Sequence, residues 1–122
     1  MVLVIDDEAA LREVVEEILD LSDIKCLLAA NGREGVQLFV ENQAAIEAIL
    51  LDMYMPVMSG SETLLELRKL NPTIEIVLMS GYPETTTMEK FSGDNHLSYL
   101  EKPFTLEKLI LKMETLLGSG RS

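Results

Sequence analysis

Val2-Leu3-Val4-Ile5-Asp6-Asp7-Glu8 is the stretch that decides the reading of this chain. Four apolar residues, mostly β-branched, run without a polar interruption and stop abruptly at two adjacent carboxylates. So short a run, apolar at both alternating positions, suits a strand covered on both faces at the centre of a parallel sheet. Downstream, Leu11, Val14, Val15, Ile18 and Leu19 recur at helical spacing, with Arg12, Glu13, Glu16 and Glu17 between them. The same strand-then-helix alternation continues along the chain. Strands are predicted over 24–29, 48–51, 74–79 and 97–100. Asn31 is placed to cap the second helix, whose apolar side is Val36, Phe39 and Val40. A loop marked by Pro56, Ser59 and Gly60 precedes a helix lined by Leu64, Leu65, Leu67 and Leu70, with Pro72 past its end. The segment 84–93 is polar and weakly helical, and Thr105 caps a last helix carrying Leu106, Leu109, Ile110, Met113, Leu116 and Leu117. Strict alternation of strand and helix implies a doubly wound α/β fold, a parallel sheet with helices on both faces.

The whole chain has 122 residues, enough for one domain and short for two. Its formal net charge is −11, with hydrophobic residues at 48%. That apolar content offsets the ordering entropy of a globular fold. The negative charge excludes direct nucleic-acid binding, which needs a basic surface, and disfavours anionic membranes. A single cysteine, Cys26, forms no intrachain disulfide, and a single histidine, His96, builds no histidine-based zinc site. Cys26 reads as a buried small hydrophobe, His96 as a loop residue and the seven methionines as packing. No apolar run reaches the ~20 residues of a membrane span, so no membrane insertion is expected and a cytoplasmic location fits.

The chemically useful side chains gather at one end of the predicted strands. Asp6 and Asp7 follow the first, Asp52 closes the third, Ser80 follows the fourth and Lys102 the fifth. In open α/β sheets, ligands bind at the carboxyl ends of the strands. Three carboxylates in one crevice repel one another and need a cation or raised pKa values. Mg²⁺, a hard cation taking carboxylates, waters and phosphate oxygens, resolves the conflict. Lys102 supplies a point charge and Ser80 a hydroxyl for a phosphoryl group, and a carboxylate can act as nucleophile to form an aspartyl phosphate. Taken singly, each piece is ordinary: paired Asp residues cap helices, and Lys102-Pro103-Phe104 can be a plain turn. Their conjunction at four strand ends is what points to phosphoryl transfer.

At these residues the chain resembles the receiver domain of two-component response regulators. The matching segments are 2–8, Leu-Leu-Asp-Met-Tyr-Met-Pro at 50–56 with Gly60, Leu-Met-Ser-Gly at 78–81 and Lys-Pro-Phe at 102–104. The resemblance implies a (βα)5 flavodoxin-like sheet of order 2-1-3-4-5, with the receiver domain over 2–118 and a frayed tail at 119–122. It implies that Asp52 is the phosphoacceptor. Asp7, Asp52 and the Tyr54 carbonyl would ligate Mg²⁺, with Asp6 acting mainly through water. Lys102 would pair with the phosphoryl oxygens, while Ser80 and Tyr99 take the switch positions, the ring moving inward as the hydroxyl is drawn to the phosphate. Gly81 leaves room for the phosphodonor. Tyr54 and Tyr82, each two residues past a key site residue, would screen the attacking water and slow autodephosphorylation.

The implied donor is a histidine kinase or a histidine phosphotransfer domain. Downstream stands an effector or the parent kinase module, reached through the face of helix four, strand five and helix five. Apart from its own aspartyl phosphorylation and dephosphorylation, such a domain is not an enzyme. The run 79–84 is similar to receivers at the C-termini of hybrid histidine kinases, which implies that origin, on the cytoplasmic side of a membrane-bound kinase, with a stand-alone single-domain receiver as the alternative. Two other readings stay open at this level. One is a phosphatase with Asp52 as nucleophile, although such enzymes want a second Asp where Tyr54 stands; the other is a receiver-like interaction module that is never phosphorylated.

Overall fold

The computed structural model describes residues 1–117, so the tail expected at 119–122 lies outside the described residues. Strands and helices alternate as β1 (Val2–Ile5), α1 (Ala9–Asp20), β2 (Cys26–Ala29), α2 (Gly32–Asn42), β3 (Ala48–Asp52), α3 (Gly60–Leu70), β4 (Glu75–Ser80), α4 (Glu84–Met88), β5 (Leu97–Glu101) and α5 (Leu106–Leu117). A 3₁₀ turn over Glu89–Phe91 extends α4. All pairings are parallel, in the order β2-β1-β3-β4-β5.

The period-2 alternation of strand side chains splits the core into two layers. Leu3, Ile5, Ile49, Leu51, Ile76, Leu78 and Tyr99 meet Phe39, Leu64 and Leu67 from α2 and α3, with Met88 of α4 against them. Val2, Val4, Ala48, Leu50, Val77, Met79 and Leu100 meet Val15, Ile18, Leu19, Leu109 and Met113 from α1 and α5. Covered on both faces, β1 and β3 are buried along their whole length, which is why their sequences carry no alternating polar residues.

Helix ends follow the capping chemistry. Asn31 Oδ1 accepts the Glu34 N–H at 2.9 Å, and Thr105 Oγ1 accepts the Lys108 N–H at 3.2 Å. Ser59, read from sequence only as a loop marker, forms a full capping box with Glu62. The expected strand 24–29 starts later, at Cys26. Ile24 N–H donates to the Leu19 carbonyl, and Asp23 takes φ +59°, so residues 22–24 close α1 instead. The expected strand 74–79 shifts to Glu75–Ser80, because the Ile74 N–H is taken by Asn71 Oδ1. The apolar helix faces are also narrower than the sequence pattern. Val14, Val40, Leu65, Leu70 and Leu106 are exposed, because only one stripe of each helix reaches the sheet. The polar 84–93 segment forms just five residues of α-helix and the 3₁₀ turn, with no side-chain cap.

Cys26 is half-buried, and burial together with the Glu16 carboxylate pushes its thiol up to about 11, so it stays protonated and unreactive at neutral pH. His96 precedes β5 and its Nδ1 lies 2.9 Å from Glu75 Oε1 at the start of β4, the sheet edge opposite the acidic strand ends. Among the described residues, no helix is long and apolar enough to cross a membrane.

Candidate functional site

Parallel register carries the strand ends to one edge. Ile5 pairs with Leu51, Asp52 with Met79, and Ser80 with Glu101, so the residues just beyond β1, β3, β4 and β5 become neighbours. There the chain brings together what the sequence scatters over nearly its whole length. Asp6 and Asp52 are buried, Asp7 is exposed, and one carboxylate oxygen from each lies within 4.8 Å of the others. Such an all-oxygen carboxylate set fits a hard divalent cation. Lys102 Nζ stands 3.1 Å from Asp6 Oδ2 and 3.4 Å from Asp52 Oδ1.

The electrostatics follow from burial. Removal from water, and then the neighbouring Asp6 carboxylate, push Asp52 up to about 6; Lys102 and the Tyr54 N–H offset only part of this. Burial of the Lys102 ammonium favours its neutral form, yet the Asp52 and Asp6 carboxylates outweigh it and hold its pKa above the usual value. The crevice therefore keeps a firmly charged cation beside a carboxylate poised near neutrality, an arrangement that attracts further positive charge or a phosphoryl group.

Two residues not singled out from the sequence shape this crevice. The Arg12 guanidinium donates to the Asp6 carbonyl at 2.6 Å, pinning the β1–α1 turn, and Glu8 lies 3.9 Å from Lys102 Nζ while its N–H donates to Asp6 Oδ1. The legible signal was Arg12 itself, a lone base in an acidic helix.

Ser80 ends β4 with its side chain buried, and its Oγ accepts the Tyr82 N–H at 3.0 Å. The Tyr54 N–H points at Asp52 Oδ1 at 3.4 Å. Each tyrosine is thus tied through its backbone to the site residue two before it. Their rings pack against each other, with centroids 5.1 Å apart and planes tilted by 53°. Tyr99 is 5% exposed, its ring already inward, with its hydroxyl donating to the Ser80 carbonyl at 3.3 Å. A Cβ built on Gly81 meets no atom of the described residues within 4 Å, so space is open beside Ser80.

Gly60 is different. A Cβ there would lie 2.6 Å from the Asp52 carbonyl and 2.8 Å from that of Met53, backbone atoms that cannot swing aside. The close approach lets the Gly60 N–H donate to the Met53 carbonyl and folds the β3–α3 loop back under Asp52. Gly60→Ala should therefore destabilise the protein by about 2–4 kcal/mol in denaturant unfolding. A change below 0.5 kcal/mol would mean that the loop does not sit this close. The same loop holds Val57 at φ +69°, strained for a β-branched residue.

The family model of the response regulator receiver domain matches residues 2–114. The probable C4-dicarboxylate response regulator DctR of Bacillus subtilis is 31% identical over 117 residues, 93% of this chain and 50% of that protein. The sensor kinase CckA of Brucella abortus is 31% identical over 116 residues, 95% of this chain and 12% of that protein. A response regulator receiver domain crystal structure from Clostridium thermocellum superposes with a TM-score of 0.87 at 28% identity, covering 95% of this chain and 92% of that one. The chain thus spans half the length or less of these curated relatives.

Proposed function

The chain belongs to the response regulator receiver domain family, and from that membership we propose that Asp52 is the residue that accepts the phosphoryl group. As a receiver it is a phosphoaccepting domain of two-component signalling. The observation that carries the assignment is the buried Asp52 carboxylate, 3.4 Å from Lys102 Nζ and grouped with Asp6 and Asp7. In the transfer, Asp52 Oδ attacks the phosphorus of a phosphohistidine. The O–P bond forms, the P–N bond breaks, and its electron pair returns to the imidazole. Lys102 pairs with the equatorial oxygens, and Ser80 turns its hydroxyl from the Tyr82 N–H to the new phosphoryl group. Asp6, Asp7, Asp52 and the Tyr54 carbonyl would hold Mg²⁺, which when bound neutralises the clustered carboxylates and the incoming charge.

The donor is a histidine kinase or a histidine phosphotransfer domain. Beside the crevice lies a cleft of about 400 Å³ between Leu11, Val14 and Ile18 of α1 and Pro103 and Phe104, rimmed by Glu8. Glu13, Glu16 and Glu17 of the same helix are exposed and add to its negative charge. That surface fits a donor helix with an apolar ridge and basic flanks. With one cysteine and no intrachain disulfide, the domain suits a reducing, cytoplasmic setting. Phosphorylation adds roughly −1.5 to −2 charge, which draws Ser80 and Lys102 together and shifts the loop after β4. Through Tyr99 that shift reaches the α4–β5–α5 face.

The test is intact mass after incubation with acetyl phosphate and Mg²⁺. Wild type should gain about 80 Da, one phosphoryl group, while Asp52→Asn and metal-free samples gain nothing. An adduct retained in Asp52→Asn would refute the assignment, and no adduct in wild type from any donor would favour a receiver-like module that is never phosphorylated. We expect the adduct to be slow to hydrolyse, because the Tyr54–Tyr82 ring pair screens the line of water attack. The Tyr54→Ala, Tyr82→Ala double variant should lose phosphate roughly five- to tenfold faster, about 1 kcal/mol of barrier. Equal or slower loss in that variant would dismiss the screening role.

A further inference from the structure

Thr87 on α4 is only 4% exposed, and among the described residues its Oγ1 has no hydrogen-bond partner. Buried hydroxyls nearly always find one, so an unpaired hydroxyl marks an arrangement held against a penalty. Thr87 belongs to a helix with little to hold it. Five residues long, α4 begins at Glu84 behind its N-cap Pro83, has no side-chain cap among the described residues, and passes at once into a 3₁₀ turn. A short uncapped helix contributes little stability of its own, so its position depends on the residues seated beneath it. Met88 and Phe91 supply apolar anchorage against the core layer that contains Tyr99, and Thr87 works against them.

We infer that the unpaired Thr87 hydroxyl is a built-in destabiliser of the α4 seat, holding the helix close to release. In a lifted arrangement the hydroxyl is paired by water and the penalty vanishes, at the expense of the Met88 and Phe91 contacts. The chain links this balance to the crevice directly. Ser80, Gly81 and Tyr82 lead through Pro83 into α4 without a break, and the Tyr82 N–H is held by Ser80 Oγ. When Ser80 Oγ turns to another partner, the Tyr82 anchor is lost, and a seat already opposed by Thr87 needs little more to open. The device goes beyond the phosphoacceptor assignment and rests on it only for this last link.

The experiment compares the full chain with Thr87→Val, which keeps the shape and removes the hydroxyl, and with Thr87→Ser, which keeps the hydroxyl. Hydrogen exchange of the amides at 84–91 is followed without acetyl phosphate and then with acetyl phosphate and Mg²⁺, intact mass reporting phosphorylation in the same samples. In unphosphorylated Thr87→Val those amides should exchange roughly tenfold more slowly than in wild type, the equilibrium value of a removed buried polar penalty. The remainder of the sheet should be unchanged, Thr87→Ser should show no slowing, and the rise in exchange on phosphorylation should shrink in Thr87→Val. Unchanged or faster exchange in Thr87→Val, or a variant less stable than wild type or unfolded, means that the hydroxyl is bonded in solution and overturns the inference. Because the first comparison uses no phosphodonor, it stands whether or not Asp52 is the acceptor.

Discussion

Asp52→Asn should make the metal-free protein more stable at pH 7, by ~2–3 kcal/mol, while abolishing phosphoryl uptake. Asp52 is buried beside Asp6, and its pKa in the folded chain is pushed up to about 6 against an ordinary 3.8. The folded state therefore binds this proton more tightly than the unfolded state. For such a group, stability is greatest below pH ~4, falls as pH rises from about 4 to 6, and is flat above. Asparagine has nearly the same shape without the charge, and it removes the repulsion with Asp6 while leaving Lys102 its 3.1 Å partner. Added Mg²⁺ should restore wild-type stability by about 2.7 kcal/mol at a hundred times its dissociation constant, and Asp52→Asn should respond far less. Urea unfolding at pH 5, 6 and 7, with and without Mg²⁺, checks all of this. Greater stability of wild type than of Asp52→Asn in metal-free buffer at pH 7 would show that Lys102 neutralises the cluster by itself.

Arg68→Ala should be the most damaging substitution outside the crevice, lowering stability by about 3 kcal/mol and the melting temperature by about 10 °C. Arg68 lies in the last turn of α3, and all of its N–H donors are engaged. Nε and Nη2 grip Asp94 at 2.7 and 3.1 Å, Nη2 also reaches the His96 carbonyl at 2.9 Å, and Nη1 takes the Ile74 carbonyl at 2.7 Å and that of Asn71 at 3.3 Å. One side chain thus clasps the end of α3, the start of β4 and the loop into β5. Truncation leaves the Asp94 carboxylate and three carbonyls short of donors in a partly buried position, the expensive way to lose a hydrogen bond. Lysine cannot reproduce the planar fork, so Arg68→Lys should recover little. Although burial favours the neutral acid, the Arg68 hydrogen bonds outweigh it and hold the Asp94 carboxyl below the usual range. The pair therefore contributes its stability above the unfolded carboxyl value of ~3.9 and loses it as pH falls through the lower folded value. Wild type and Arg68→Ala should converge in acid, and phosphoryl uptake at neutral pH should persist in both. A loss under 1 kcal/mol would mean that the clasp is solvated.

Most of the strand and helix order was legible because it rests on local periodicity. The apolar run at 2–5 and the carboxylates after it already implied a covered central strand with a polar exit. Asn31 and Thr105 declared helix starts by the same kind of short-range chemistry. The errors fall where a distant partner decides. Leu65 and Val14 share the apolar spacing of their buried neighbours, yet 61% and 47% of their surfaces stay in water. How far a helix stripe reaches round its axis is set by the sheet it meets.

What the residues by themselves determined about this protein is the set of groups at the strand ends: Asp6, Asp7, Asp52, Ser80 and Lys102. Strand exits in a parallel sheet must share one edge, whatever else the chain does. Tertiary structure alone decided how those groups stand toward one another and what surrounds them. Lys102 meets Asp6 from 96 positions away, Arg68 clasps Asp94 from 26 away, and Tyr99 lies inward against the Ser80 carbonyl. No periodicity encodes such contacts. They exist because packed helices and a fixed strand register leave each long side chain one place to satisfy its polar end.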